Sequence, residues 1–375
     1  MTHYLRITPR DPLIVRDGRP FNFGQTKMRP LGWPYPQLLA GSLRTLLGKA
    51  LGEYKPAELR EIRVRGPLPV RDGQLYLPTP KDLIVNPDNN LPLAARPDRQ
   101  TGPATNLPLK SLRPCLLPPQ VEDGFKAKKA PQFLSLSQSV DWLLERAMQS
   151  SETPGFDNPK HDERTHVAIN PDTYAHIDHR LFSTVGLALK EGDEMVAAVD
   201  CDGSYSKTLS TGWRALHPMG GERRLAHWRE SAEASTLWQC PPAIRAALAD
   251  NPVRIRMMLA TPAVWAAGGW IPDWVAQGEP LPGTNVKFTL VGACLDRWKP
   301  ISGWCMEEGN EGPKPVRWMV PAGAVYFLEC SSGNSAELAD HWLKPVSDSA
   351  KNESQESKDG FGLATWGTWS EHNGK

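Results

Sequence analysis

The sequence predicts an α+β chain of two ferredoxin-like (split βαβ) domains, with an inserted loop region and a projecting β-hairpin. Three observations carry this. At 375 residues the chain is long for one core, so two domains are expected. Apolar runs in the first half follow the order strand, helix, strand-strand, helix, strand, and the second half repeats that order less distinctly. The 36 prolines are about twice the usual share and favour irregular connections over long helices. The expected division is 1–205, with insertions at 86–129 and 151–190, and 206–375, which ends in a glycine-rich turn and a strand.

In the first domain, residues 4–7 and 13–15 are apolar runs interrupted by Pro9 and Pro12, read as one broken strand. Pro36 suits the first turn of a helix, and Leu38, Leu39, Leu43, Leu46, Leu47 and Leu51 recur at helical spacing over 37–51. The runs 62–70 and 75–77 flank Asp72-Gly73, a hairpin signal. Residues 86–129 are rich in Pro, Asn, Arg and Lys and lack periodicity, as an insertion does. A helix is expected at 135–148, a polar loop at 151–164, a long hairpin over 166–189 and a strand at 195–199. In the second domain the pattern gives a helix at 242–249 and strands at 253–259, 286–294 and 325–329. A helix capped by Ser335 follows at 335–343, then a mobile Ser/Glu/Lys-rich run at 347–358 and a last strand at 361–369.

The basic and acidic residues number 43 and 42, so any nucleic-acid surface must be local. The six cysteines form no CxxC pair, the N-terminus is polar and charged, and no apolar run reaches the roughly 18 to 20 residues of a membrane span. These features fit a protein of the reducing cytoplasm, with free thiols and no membrane contact. Of the fourteen tryptophans most are expected in the core, and a few are candidates for stacking platforms.

Two glycine-punctuated turns draw attention: Pro218-Met219-Gly220-Gly221-Glu222-Arg223-Arg224 and, near the end, Gly360-Phe361-Gly362. Glycine lets another backbone approach closely, and a backbone loop beside guanidinium groups suits a phosphate chain. An ordinary turn with solvated arginines is the alternative. Arg16, Arg19, Lys27 and Arg29 are interleaved with Phe21, Phe23 and Trp33, and Arg223, Arg224 and Arg229 lie near Trp213 and Trp228. Cations among aromatics suit single-stranded nucleic acid, although a solvated charged face over an aromatic core has the same composition.

Catalytic patterns are missing. His176 and His179 beside Asp178 have no third clustered ligand, so a surface or RNA-contacting loop fits them better than a metal site. Ser42 is not a nucleophile elbow, because Ala40 and Arg44 hold the two glycine positions of that motif. Gly360-Phe361-Gly362 opens a strand rather than a helix, against a dinucleotide site. No cofactor, metal site or enzymatic activity is expected.

Four ordered stretches resemble the 5′-tag-binding subunit of type III-B (Cmr) CRISPR effector complexes, a RAMP-superfamily family. They are Arg16-Asp17-Gly18-Arg19-Pro20-Phe21 with the Pro36-to-Arg44 helix start, His166-to-Thr184, Met219-to-Arg224 and Gly360-to-Ala364. Thr261-Pro262-Ala263 and Gly269-Trp270-Ile271-Pro272 also fit. The residues ahead of Leu181-Phe182 depart from the family pattern, with Asp178-His179-Arg180 in place of an acidic residue and glycine. The resemblance implies two RRM-like RAMP domains and a non-catalytic role: holding the 5′ tag of the guide RNA (crRNA). It also implies the large polymerase-like subunit and an adjacent RAMP backbone subunit as partners, with target RNA met only indirectly. The alternatives are a metal-independent RAMP endoribonuclease using His176 or His179, and the equivalent subunit of another type III subtype. The expected RNA contacts are Arg16, Arg19, Phe21, Gln37, Ser42, Arg44, Tyr174, His176, His179, Arg180, Gly220, Gly221, Arg223, Arg224, Gly360 and Gly362.

Overall fold

The computed structural model describes residues 1–17, 28–52, 54–98, 112–118, 125–148, 155–305, 311–347 and 353–371. Arg19, Phe21, Phe23 and Lys27 lie outside them. The first strand, Thr2–Pro9, lies inside a seven-stranded antiparallel sheet, next to its middle strand. It pairs on one side with Asp193–Asp200 (Tyr4 opposite Ala198) and on the other with Leu225–Glu230 (Ile7 opposite Trp228). Arg63–Arg71, Gln74–Pro78 and Phe133–Ser135 extend the sheet beyond Asp193–Asp200, and Arg214–Pro218 closes the other edge. The second main sheet has five strands in the order Lys287–Cys294, Val325–Ser332, Arg254–Leu259, Leu363–Thr368 and Lys344–Pro345. Taking four strands of each sheet in chain order (Thr2–Pro9, Arg63–Arg71, Asp193–Asp200 and Leu225–Glu230; then Arg254–Leu259, Lys287–Cys294, Val325–Ser332 and Leu363–Thr368), both read 4-1-3-2 in space.

Alternation explains the layers. Met195, Ala197 and Val199 face the first helix, Pro36–Ala50, and pack with Leu39, Leu43 and Leu47. Val196 and Ala198 point the other way, into a core shared with Met257, Leu328 and Trp366 of the second sheet. Each buried leucine of the helix stabilises this layer by about 1.5 to 3 kcal/mol. Arg44 adds a polar tie. Its Nη1 lies 2.5 Å from Asp359 Oδ1, and its Nη2 donates to the Ile62 carbonyl at 2.7 Å. A short helix, Gln355–Asp359, is thereby fixed to the first helix.

Several expectations need correction. The segment 75–77 is not the third core strand, because Asp193–Asp200 pairs with both Thr2–Pro9 and Arg63–Arg71. Residues 206–230 do not join the second sheet, because both of their strands extend the first. Residues 13–15 form isolated bridges, Leu13 to Leu187 and Ile14 to Gly221, rather than a continued strand. The polar loop expected over 151–164 ends at Lys160, where the hairpin begins. Asn334, not Ser335, caps a 3-10 helix at Ser335–His341, with its side chain accepting from Ala336 N–H. Within 347–358 the helix Gln355–Asp359 is capped by Ser354, and 348–352 lie outside the described residues. The expected helix at 135–148 is Leu136–Leu143, closed at its start by a Ser135/Gln138 capping box.

The hairpin consists of Lys160–Ile169 and His176–Ala188, with Phe182 opposite His166, and forms a two-stranded sheet of its own. Its root is fixed by the Leu13–Leu187 bridge. Toward its tip Val167, Ile169, Leu181 and Tyr174 are exposed. No described helix is long and apolar enough to cross a membrane. Cys115, Cys201, Cys240, Cys294 and Cys330 are unbridged.

Candidate nucleic-acid interface

The first helix presents Gln37, Gly41, Thr45 and Lys49, spaced by four, on the side away from its leucines. Facing them is the turn after Arg214–Pro218. Gly220 takes φ +85°, and a Cβ there would lie 2.6 Å from the Ile14 carbonyl oxygen. Only glycine fits that approach, and Gly221 N–H donates to the same oxygen at 2.7 Å. Ser42 Oγ donates to the Pro218 carbonyl at 2.5 Å, tying helix to turn. Gln37 Nε2 donates to the Ser302 carbonyl at 2.9 Å and brings in the second half of the chain.

Between these elements lies a cleft of about 810 Å³. Its charged lining is Arg44, Lys49, Arg223, Lys314 and Asp359. Arg44 and Asp359 neutralise each other. The side chains of Lys49, Arg223 and Lys314 make no hydrogen bond or ion pair with another described residue. Among the described residues, four cations against one carboxylate leave the lining at a net +3. His217 also lines the cleft, and burial, reinforced by the Lys49 charge, lowers its pKa below the usual imidazole value. Both effects favour its neutral form. Such a surface suits a polyanion by charge, whereas the Gln37, Ser42 and Thr45 side chains already donate to protein carbonyls and shape the wall.

Gln37, Ser42, Arg44, Gly220 and Arg223 of the sequence-predicted set meet here. Arg224 turns away to Glu222 at 3.1 Å. Tyr174, His176, His179 and Arg180 lie on the distal hairpin, where Tyr174 is 84% exposed and His176 Nε2 is 3.0 Å from Asp178 Oδ1. Arg16 is exposed beside its bridge to Pro30. Trp228 is a core residue and not a stacking platform. Gly360 and Gly362 are buried, and protein fills the space a ligand would need. A Cβ at Gly360 would lie 2.5 Å from the Val64 carbonyl oxygen, and Gly362 N–H donates to the Pro262 carbonyl at 2.7 Å. This turn serves packing between the two halves of the chain.

Sequence reasoning missed Lys49, His217 and Lys314. The first was readable from the four-residue spacing that starts at Gln37. His217 and Lys314 reach the cleft through strand pairing and long-range packing, for which no local pattern exists. Among the described residues no group of three His, Cys, Asp or Glu side chains is placed to hold a metal ion.

No curated protein matches this sequence. Among solved structures, the chain is similar to one in "Cryo-EM structure of the Type III-B Cmr-beta bound to cognate target RNA", at 16% identity and TM-score 0.49, covering 86% of each chain. It is also similar to one in "Crystal structure of Csm3-Csm4 subcomplex in the type III-A CRISPR-Cas interference complex", at 10% identity and TM-score 0.37, covering 86% of this chain and 92% of that one. The family model described as CRISPR-associated protein (Cas_Cmr3) matches residues 5–369. That span runs from the first strand through the last and includes the whole cleft, and the chain belongs to this CRISPR-associated family.

Proposed function

We propose that the protein is a non-catalytic guide-RNA-binding subunit of a type III CRISPR effector, and that the cleft holds the 5′ tag of the guide. The observation that carries the proposal is the +3 charge of the described cleft lining, in which three cations without a partner among the described residues stand around a helix face and a glycine turn. Single-stranded RNA supplies the matching phosphates. Arg44 and the Gly360–Gly362 turn act structurally, fixing the walls of the cleft. The distal hairpin, with Val167, Ile169 and Leu181 exposed along it, is the docking arm for a neighbouring subunit of the assembly.

The shared 4-1-3-2 strand order supports two ferredoxin-like domains, with the first running to Glu230 and the second starting at the 242–249 helix. A metal-independent endoribonuclease is the second reading, and it rests on the His176–Asp178 pair. A gel-shift comparison of one guide RNA with and without its 5′ tag tests the proposal. Tighter binding of the tagged RNA is expected, and equal binding of both would remove the tag from the account.

A further inference from the structure

A second concavity, of about 400 Å³, lies between the two halves of the chain. Its aromatic walls are Trp33, Tyr35, Phe133 and Trp298. Trp33 is held by Nε1 donating to the Pro67 carbonyl at 3.0 Å and packs edge-to-face on Phe133 at 5.4 Å. Trp298 is 48% exposed and touches Trp318, itself 47% exposed, with their ring planes at 64°. Large aromatics left this open are unusual for a core and suit a stacking surface.

Polar groups without a side-chain partner among the described residues converge on the same place. The Tyr35 hydroxyl and the Gln132 and Asn158 amides line the pocket and make no side-chain hydrogen bond with another described residue. Asn158 is placed by Gly32, where a Cβ would lie 2.4 Å from its Nδ2. Burial, with a smaller contribution from the Asp17 charge, pushes the Tyr35 phenol up to about 12, so it remains a donor. An amide presents both donor and acceptor, the complement of a nucleobase edge. Lys299 lines the pocket and Arg297 adjoins it, and neither side chain is paired among the described residues. Asp296 is already bound to Lys81 at 3.2 Å.

The pocket and the basic cleft are joined by one ribbon. Lys299–Ile301 pairs with Arg317–Met319; Lys299 lines the pocket, whereas Gly303 and Lys314 line the cleft. We propose that this pocket takes one unstacked base of the RNA strand held in the cleft, with Trp298 as its stacking face and Gln132 and Asn158 at its edge. The proposal rests on the RNA-binding reading of the cleft. Lys299 and Arg297, without partners among the described residues, favour a nucleotide over a proline-rich or apolar peptide, which has no charge to offer them.

The test uses the full chain and a 5′-tagged guide RNA carrying 2-aminopurine at each tag position in turn. One position is expected to change fluorescence on binding. Trp298→Ala should abolish that change and weaken binding about 5- to 150-fold, the range for one base on one aromatic. Trp298→Phe should retain both, and neither variant should alter the salt slope, since no phosphate contact is lost. Unchanged affinity in Trp298→Ala, with no distinct 2-aminopurine position, overturns the pocket while leaving the cleft reading intact. Failure of the wild-type chain to bind the guide removes both. Free nucleoside monophosphates that quench tryptophan fluorescence in the wild type and not in Trp298→Ala, at the concentration at which the strand binds, overturn a strand base in favour of a free nucleotide. A Trp298→Ala chain that binds RNA normally but no longer assembles with its partner subunits assigns the surface to protein instead.

Discussion

Removing the three cations that have no partner among the described residues, as Lys49→Gln/Arg223→Gln/Lys314→Gln, takes the net charge of the described lining from +3 to zero. Each cation neutralising one RNA phosphate contributes about −0.7 to the slope of log affinity against log salt for a single strand. The triple variant should therefore be shallower by about 2, from a wild-type slope of about −2 to −4 if the whole strand meets three to five phosphates. Over a salt range of roughly 50 to 200 mM, this reduces the affinity loss about twenty-fold. Arg223→Ala alone should remove less than about one unit. His217 is not counted, because burial and the Lys49 charge lower its pKa and favour the neutral imidazole. Fluorescence anisotropy of a labelled tagged guide, titrated at four salt concentrations, reads the slope directly. These side chains have no partners within the described protein, so folding should be unaffected, and circular dichroism checks it. A triple variant that folds normally and keeps the wild-type slope refutes the assignment of the cleft.

Other perturbations separate structure from binding. Gly362→Val should destabilise the fold by about 2 to 6 kcal/mol, combining left-handed strain with overpacking, because φ is +71° and Ser347 occupies the Cβ direction. Binding per folded molecule should be unchanged, and a variant that melts like the wild type but binds RNA poorly contradicts this. Arg256 is fully buried and donates to the Trp142 carbonyl at 2.5 Å and to Glu145 at 2.9 Å, with Asp82 3.7 Å away. Arg256→Met should lower stability by about 3 to 5 kcal/mol in urea unfolding, since it strips charge from a buried cluster; a wild-type midpoint would show that Arg96 alone satisfies both carboxylates. His217 has a folded pKa below 6.5, so its contribution to stability is present above that pH and lost as pH falls toward the folded value. Protonation also adds a cation to the cleft, so RNA affinity should rise on acidification in the wild type more than in His217→Gln, and identical pH profiles would place His217 away from the RNA.

Local pattern carried the secondary structure a long way. The Leu39-Leu43-Leu47 spacing, the Asp72-Gly73 turn and the apolar run at 195–199 all correspond to observed elements. Topology was less legible. The run 75–77 looks like the third core strand because it follows Asp72-Gly73 directly. It is an outer strand instead, and the chain returns to the centre only at Asp193, after the insertion and the hairpin. Two competing pairings with equally apolar strands cannot be told apart by composition, because both faces of this sheet are buried. The two glycine turns look alike in sequence and protein approaches both closely, Ile14 at Gly220 and Val64 and Ser347 at Gly360 and Gly362, yet Gly220 is exposed along the cleft while the other two are buried. Glycine reports a close approach without saying whether protein or ligand makes it. Trp298 and Trp318 illustrate the same limit, since exposure is a property of the assembled fold.

The central claim is that this chain holds guide RNA without cutting it. Incubating the protein, in chelator and without added metal, with an end-labelled precursor guide tests it most directly, with binding and strand integrity read from the same sample. The account predicts a retained, full-length RNA, bound through its tag and released by salt, in the wild type and in His176→Ala/His179→Ala alike. Cleavage at a fixed site, lost when His176 or His179 is replaced, would contradict it and establish the endoribonuclease.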